Sequence, residues 1–306
     1  MNTKKELFAT ISVAVAIAVS GCGGNPSNDT GVVSNDSVSV SDSVAVVAVE
    51  STEPDTLAFD TLSYAIVNSK VNSSVALDYP MDNTPFAANV RQFINENLAN
   101  FSLSYTQAYD SPRILKPFVG DLTAPDAMLK FYVKGNADYL ESLSNNAEEE
   151  EEMQTNCNIM MRKIYEDSKY VTYNTTIDLY FGGAHGSFGS FGSVISKSSG
   201  KALKQTVDST MVKQLQPLIR KGVIQYFNEN GFSDVNESNV FENLLLDGDS
   251  KEIPLPAHAP IFTAQGVAFT YQQYEIAPYS YGLVTFNVPF SQMKQFLVPE
   301  AKALLD

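Results

Sequence analysis

His185 sits in the stretch YFGGAHGSFGSFGS at residues 180–193, where a single imidazole is surrounded by glycines. An imidazole can serve as a general base or a ligand when a partner holds its second ring nitrogen. Asp178, seven residues back, and Ser187, two residues on, are the nearest groups that could build such a unit. The competing reading is a turn. Gly182, Gly183 and Gly186 allow positive φ and close backbone approach at a strand end, and His185 would fix that turn by bonding the backbone. We read the stretch as a turn, with His185 kept as a candidate ligand-binding residue.

The chain has only one other histidine, His258 in PLPAHAP, which reads as an exposed loop residue. Two histidines exclude a histidine-rich metal site and a two-histidine zinc helix. G-x-S-x-G, C-x-x-C and phosphate-loop patterns are absent. No catalytic residue, metal or cofactor is therefore expected. A hydrolase using His185 with a carboxylate, and a structural or assembly role, stand as the alternatives to a binding module.

The second constellation is aromatic. Tyr271, Tyr274, Tyr279 and Tyr281 cluster with Glu275, Pro278 and Gly282. Phenol rings give contact area and a hydrogen-bonding tip, which suits protein or sugar recognition. Tyr271 continues the Val267–Phe269 face and is expected in the core. Tyr279, Tyr281 and Glu275 are the candidate ligand contacts, while Pro278 and Gly282 shape the bend.

The cysteines point to location. Lys4 and Lys5 precede an apolar run at residues 7–19 that is short for a membrane span and right for a signal peptide. The run ends in VSGC, a lipobox pattern, so residues 1–21 are expected to be removed and Cys22 to carry lipid. Each buried CH₂ adds about 0.8 kcal/mol to such an anchor. GGNPSND after Cys22 lacks an acidic export cluster, so a periplasm-facing place in the envelope is expected. Cys157 then has no intrachain partner, and reads as a small buried hydrophobe.

The formal net charge is −15. Cleavage before Cys22 removes two lysines and one glutamate and leaves the mature chain one unit more acidic. Nucleic acid is thereby excluded as a partner, and a basic protein is favoured through steering.

These residues need a scaffold. Residues 22–56, rich in Ser, Asp, Asn, Gly and Val, read as a flexible tether. Residues 57–152 read as a first α+β unit. It has two alternating strands, a helix with Thr84 as cap and Pro85 in its first position, and a helix with Thr123 as cap and Pro125 in its first turn. On these helices Phe86, Val90, Phe93, Ile94 and Phe101, and Met128, Phe131, Tyr132, Tyr139, Leu140 and Leu143, recur at helical spacing. Glu148–Glu152 read as a solvated helix end, without the glycine turn a calcium loop needs.

Residues 153–306 read as a second α+β unit. In YVTYNTTIDLYF, Val171, Tyr173, Thr175, Ile177, Leu179 and Phe181 face one way and the polar set the other. Flanking strands complete an antiparallel meander. A helix is expected from Pro217 to before Gly231, then strands that rejoin the sheet, and a helix over 290–304. The expected class is α+β, antiparallel sheets packed against helices in two small mixed halves.

YFGGAHGS (180–187), SSGKAL (198–203), FTAQGVAFTYQQYEIAPYSYG (262–282) and VPF (288–290) occur in that order. Together they resemble the extracellular domain of RsiV-type anti-sigma factors, a domain of unknown function also found before some polysaccharide deacetylase domains and in lipoproteins. ALDYP (76–80) with NVRQFINENL (89–98) resembles its small companion domain. In the anti-sigma factors this region binds lysozyme. The resemblance implies a non-catalytic binding module whose partner is a lysozyme-like muramidase or a peptidoglycan fragment. The chain shows no transmembrane helix or sigma-binding segment, so it implies no sigma signalling here.

Overall fold

Nine-residue β1 (Phe59–Val67) and ten-residue β2 (Val71–Pro80) form an antiparallel hairpin, with Leu62 opposite Leu77. The computed structural model describes residues 56–107, 116–144, 154–232, 234–246, 248 and 250–306. The expected leader, Cys22, the tether up to residue 55 and the Glu148–Glu152 run lie outside the described residues.

After β2 the chain enters α1 (Pro85–Gln107) and α2 (Asp126–Ser144) before returning as β3 (Thr155–Glu166). Thr84 caps α1, its hydroxyl accepting from the Ala87 N–H at 3.1 Å, and Pro85 opens the helix where its missing N–H costs nothing. Thr123 does not cap α2. Its hydroxyl is spent on Asp121 Oδ1 at 2.7 Å, and the first helical bond runs from the Leu129 N–H to the Pro125 carbonyl. β2 and β3 pair in parallel, Val75 beside Ile159. Parallel neighbours need a crossover, and the two helices supply it. They cover one face of the sheet, burying Val90, Ile94, Leu98, Met128, Tyr132 and Leu140 against Val75, Leu77, Ile159, Met161, Val171 and Tyr173. Phe131, expected on the buried stripe, is 37% exposed and packs edgewise on Tyr132 and obliquely on Phe118.

β4 (Tyr170–Tyr180) and β5 (Ser187–Ser196) complete the five-stranded sheet in the order β1-β2-β3-β4-β5. The expected meander is present. The alternation in β4 holds through its middle but fails at its start, where Tyr170, Val171, Thr172 and Tyr173 are all buried. Both faces are covered there. Val171 and Tyr173 face the helices, and Tyr170 belongs to a second core, where it meets Phe262 at 5.5 Å.

That second core lies between α3 (Val212–Glu229) and a separate three-stranded sheet of β6 (Ile261–Thr263), β7 (Gly266–Tyr271) and β8 (Val284–Val288). The last strands therefore do not rejoin the first sheet. α3 also starts five residues before Pro217. The buried face Leu215, Ile219, Val223 and Phe227 runs across the proline, and packing along that face outweighs the one backbone bond the ring removes. Gly222 lets the helix approach the Phe286 ring. The expected helix over 290–304 is two short ones, α4 (Phe290–Met293) and α5 (Pro299–Ala303), parted by extended Leu297 and Val298 ahead of Pro299.

The fold is α+β, as expected. The halves divide differently. β2 and β3 share one sheet across residues 145–153, and Thr52–Asp306 cluster as one unit. The two cores meet on β4 and β5, which give Tyr170 and Val194 to the second and Val171, Tyr173 and Ile195 to the first. A boundary read from a charge run could not see that the first hairpin completes its sheet with later strands.

Candidate functional site

The glycine stretch is the β4–β5 hairpin loop. Leu179 pairs with Ser187, and residues 181–186 make the connection. Gly182 and Gly183 take φ of 96° and 97°, which L side chains rarely adopt. At Gly186 a Cβ would stand 2.9 Å from the Leu179 carbonyl oxygen. The Tyr180 hydroxyl closes the loop by donating to the Gly183 carbonyl at 3.0 Å.

A second turn meets this loop. Tyr271 ends β7 fully buried, as expected, and the chain bends through Gln272, Gln273, Tyr274 and Glu275. Both glutamines bind the open edge of β5. The Gln272 side chain accepts from the Ser190 N–H at 3.0 Å and donates to the Ser190 carbonyl at 2.7 Å, as a neighbouring strand would. Gln273 Oε1 accepts from the Phe188 N–H at 3.0 Å. An edge strand left bare is a liability, and here two amide side chains cover it. Glu275 is committed to the backbone as well, its oxygens accepting from the Ala257 and Gln272 N–H groups, each at 2.6 Å.

The two turns bring three rings together. His185 stacks on Tyr279 with centroids 4.0 Å apart and planes at 28°. Tyr274 lies 5.7 Å from Tyr279 and 6.5 Å from His185. The Gly186 carbonyl accepts from the Tyr279 hydroxyl at 3.0 Å and faces His185 Nδ1 at 2.9 Å. A proton on Nδ1 makes that second contact a hydrogen bond and leaves Nε2 as the acceptor, 3.5 Å from the Tyr274 hydroxyl. Asp178, the carboxylate the sequence offers for a catalytic pairing, instead accepts from Asn156 and Asn158. In this arrangement His185 faces the Gly186 carbonyl with one ring nitrogen and stacks on the Tyr279 phenol.

Tyr274 is 57% exposed and has φ of 65°. A bulky residue in the left-handed region is strained by about 1–3 kcal/mol, and the Gln272–Glu275 bonds hold it there. Phe188, 43% exposed, stands on the same clamped strand edge. Tyr281 does not join this group. It is half-buried, stacked on Phe232 at 3.9 Å, with its hydroxyl on Asn243 Oδ1. Pro278 leads into the short 3₁₀ turn Tyr279–Tyr281, and Gly282 ends it at φ 69° and ψ −147°, a glycine conformation. The sequence marked His185 and Tyr279. It did not mark Tyr274, Gln272 or Gln273 as site residues, because their meeting with β5 is a tertiary event. The short polar QQ pair between a strand and the bend was the only signal.

Elsewhere, Cys157 is a free thiol, buried, and burial pushes it up to about 12, with Asp178 adding to the rise. His258 is exposed and meets Phe191 edge-on at 4.6 Å. Among the described residues no three His, Cys, Asp or Glu side chains group as a metal site, and no helix is long and apolar enough to cross a membrane.

Residues 201–291 match the model of a family described as a protein of unknown function, DUF3298. The matched segment begins after the glycine loop and takes in α3, the second sheet and the tyrosine bend. Two solved structures share the fold. A DUF3298 family protein from Pseudomonas aeruginosa PAO1 is 14% identical, with a TM-score of 0.54 over 81% of this chain and 97% of its own. A DUF3298 family member from Bacteroides fragilis NCTC 9343 is 16% identical, with a TM-score of 0.51 over 82% of this chain and 98% of its own. No curated protein matches the chain.

Proposed function

We propose that the chain is a lipid-anchored, periplasm-facing envelope lipoprotein whose folded part is a non-catalytic binding module. Its ligand is a basic, lysozyme-like muramidase, with a cell-wall glycan as the second arm of the same test. The observation that carries this reading is the aromatic platform of exposed Tyr274 and His185 on half-buried Tyr279, preorganised by the clamp between the two turns. Rigid rings on a locked backbone lose little entropy on binding and offer faces to a sugar or a protein side chain. The net charge of −15 favours a basic protein through steering, and binding should weaken with salt. The resemblance to the RsiV-type extracellular domain supports the same class of partner.

The anchor is checked by mass spectrometry of the mature N-terminus, which should show acylated Cys22 as the first residue; an unmodified Cys22 removes it. The ligand is checked by calorimetric titration with lysozyme and with muropeptides at low salt. Tyr274→Ala is expected to weaken binding about tenfold, as loss of an exposed aromatic anchor does, with little change in thermal midpoint. The absence of heat with either ligand would sink the binding module. Turnover of peptidoglycan fragments that disappears in His185→Ala would replace it with a hydrolase.

A further inference from the structure

The far end of β5 carries a different surface. A strand of ten residues spans about 30 Å, so this surface is well removed from the aromatic platform and independent of its function. There the turn between β3 and β4, the Ser196–Lys204 segment and α5 enclose a groove of ≈ 1010 Å³. Four lysines line it, Lys169, Lys197, Lys201 and Lys204, together with the hydroxyls of Ser168, Ser196, Ser198 and Ser199. Among the described lining residues Glu300 is the sole carboxylate.

This is an unusual place for cations in a chain with 35 acidic and 20 basic residues. Lys197 is paired with Glu166 at 2.9 Å and is largely buried. Lys169, Lys201 and Lys204 are exposed, and none lies within ion-pair distance of a carboxylate among the described residues. The field of Lys169 does reach the carboxyl of Asp306, whose principal partner is Lys294. Three exposed ammonium groups gathered around one lining carboxylate repel one another on balance, and an anion in the groove relieves that repulsion.

The walls are held in place. The Lys197 N–H donates to the Lys169 carbonyl at 2.8 Å, tying the two turns together. The Gly200 N–H returns to the Ser196 carbonyl at 2.8 Å, and the buried Ser196 hydroxyl meets that of Ser198 at 3.0 Å. Gly200 has φ of 66°, and a Cβ there would strike Asn89 of α1. SSGK is therefore a preformed turn that presents hydroxyls and ammonium groups to one hollow. Leu203, Ala303 and Leu304 make the rest of its lining apolar.

We infer that this groove binds a phosphomonoester bearing a compact apolar group. Ammonium groups are compact point charges that suit a tetrahedral oxyanion, whereas planar carboxylate readout calls for guanidinium forks, and no arginine lines the groove. Serine hydroxyls donate to the remaining oxygens, and the apolar wall takes the organic part. The phosphate comes either from a soluble ester or from a lipid headgroup.

The test is a titration of the folded protein at low salt with phenyl phosphate and with inorganic phosphate, followed by amide chemical shifts. Saturable shifts are expected at residues 168–169 and 196–204, with phenyl phosphate the tighter ligand. Lys201→Gln combined with Lys204→Gln should weaken binding at least about tenfold, while Lys134→Gln, a lysine paired with Asp138 on α2, leaves it unchanged. Both groove lysines are exposed, and an unaltered circular dichroism spectrum checks that the double variant folds. Cosedimentation with vesicles containing phosphatidic acid, whose headgroup is a phosphomonoester, that is lost in the double variant identifies a lipid source; soluble binding without cosedimentation identifies a free ester. Unsaturable shifts, shifts elsewhere, or equal affinity in the double variant overturn the proposal.

Discussion

Glu166→Ala is expected to lower the unfolding free energy by about 3–5 kcal/mol, the cost of stranding buried charges. The Glu166 side chain is 3% exposed at the end of β3. One oxygen takes Lys197 at 2.9 Å and the Leu57 N–H at 3.0 Å, and the other takes Lys163 at 2.9 Å. Removal takes the Glu166 carboxylate away from the nearly buried Lys197 ammonium and from Lys163, and unties the start of the folded chain. Lys197→Met in the Glu166→Ala background should recover part of the loss, because the second variant removes that ammonium.

The same residue sets a pH dependence. Burial raises the Glu166 carboxyl, but hydrogen bonds from Lys163, Lys197 and the Leu57 N–H outweigh it and hold the group below its ordinary value of 4.5. The folded state thus binds this proton less readily than the unfolded state. Its contribution is complete above pH 4.5 and is lost as pH falls through the lower folded value. Urea denaturation should therefore show the gap between the native chain and Glu166→Gln shrinking steadily from pH 5 towards pH 3. A gap that stays constant across that range would falsify the assignment.

Gly266→Ala is expected to cost on the order of 4 kcal/mol, backbone strain and overpacking together. Gly266 opens β7 with φ of 139°. A Cβ there would run into the Val288 carbonyl oxygen and stand 2.9 Å from Pro289 Cα, and backbone atoms cannot rotate aside. Relief would require parting β7 from β8, which pair through Val267 and Val288. Gly183→Ala makes the control. Its φ of 97° is equally unfavourable, yet nothing lies within 4 Å of the added carbon. That variant should lose only about 1 kcal/mol. Similar losses from both variants, measured by thermal or urea unfolding, would mean that dihedral strain alone sets the penalty.

Local signals carried far in this chain. Thr84 and Pro85 mark the start of α1, because capping and a fixed proline φ act within one turn. The alternation Tyr173 to Asp178 marks the middle of β4, because one face there stays against α1 and α2. Errors fell where a distant element intervened. Tyr170 and Thr172 left the exposed set because the second core lies over them. α3 continued through Pro217 because Leu215 had a buried place to fill. The closing strands made their own sheet because α3 gave them a separate surface to pack on.

The candidate site divides in the same way. Sequence alone determined that the 180–187 stretch would turn, since three glycines after a strand admit φ that other residues resist. It determined also that imidazole chemistry in this chain rests on two residues, His185 and His258. Tertiary structure decided which tyrosines share a surface with His185. Tyr279 and Tyr281 are two residues apart, yet one stacks on the imidazole and the other on Phe232. A short 3₁₀ turn sends successive rings to different neighbours, and those neighbours come from the segment just past α3 and the β4–β5 loop, far away in the chain. Lysines scattered from 169 to 204 likewise became one basic groove only when the two turns were tied by a backbone bond and α5 closed beside them, because electrostatic crowding depends on distance in space and not on distance along the sequence.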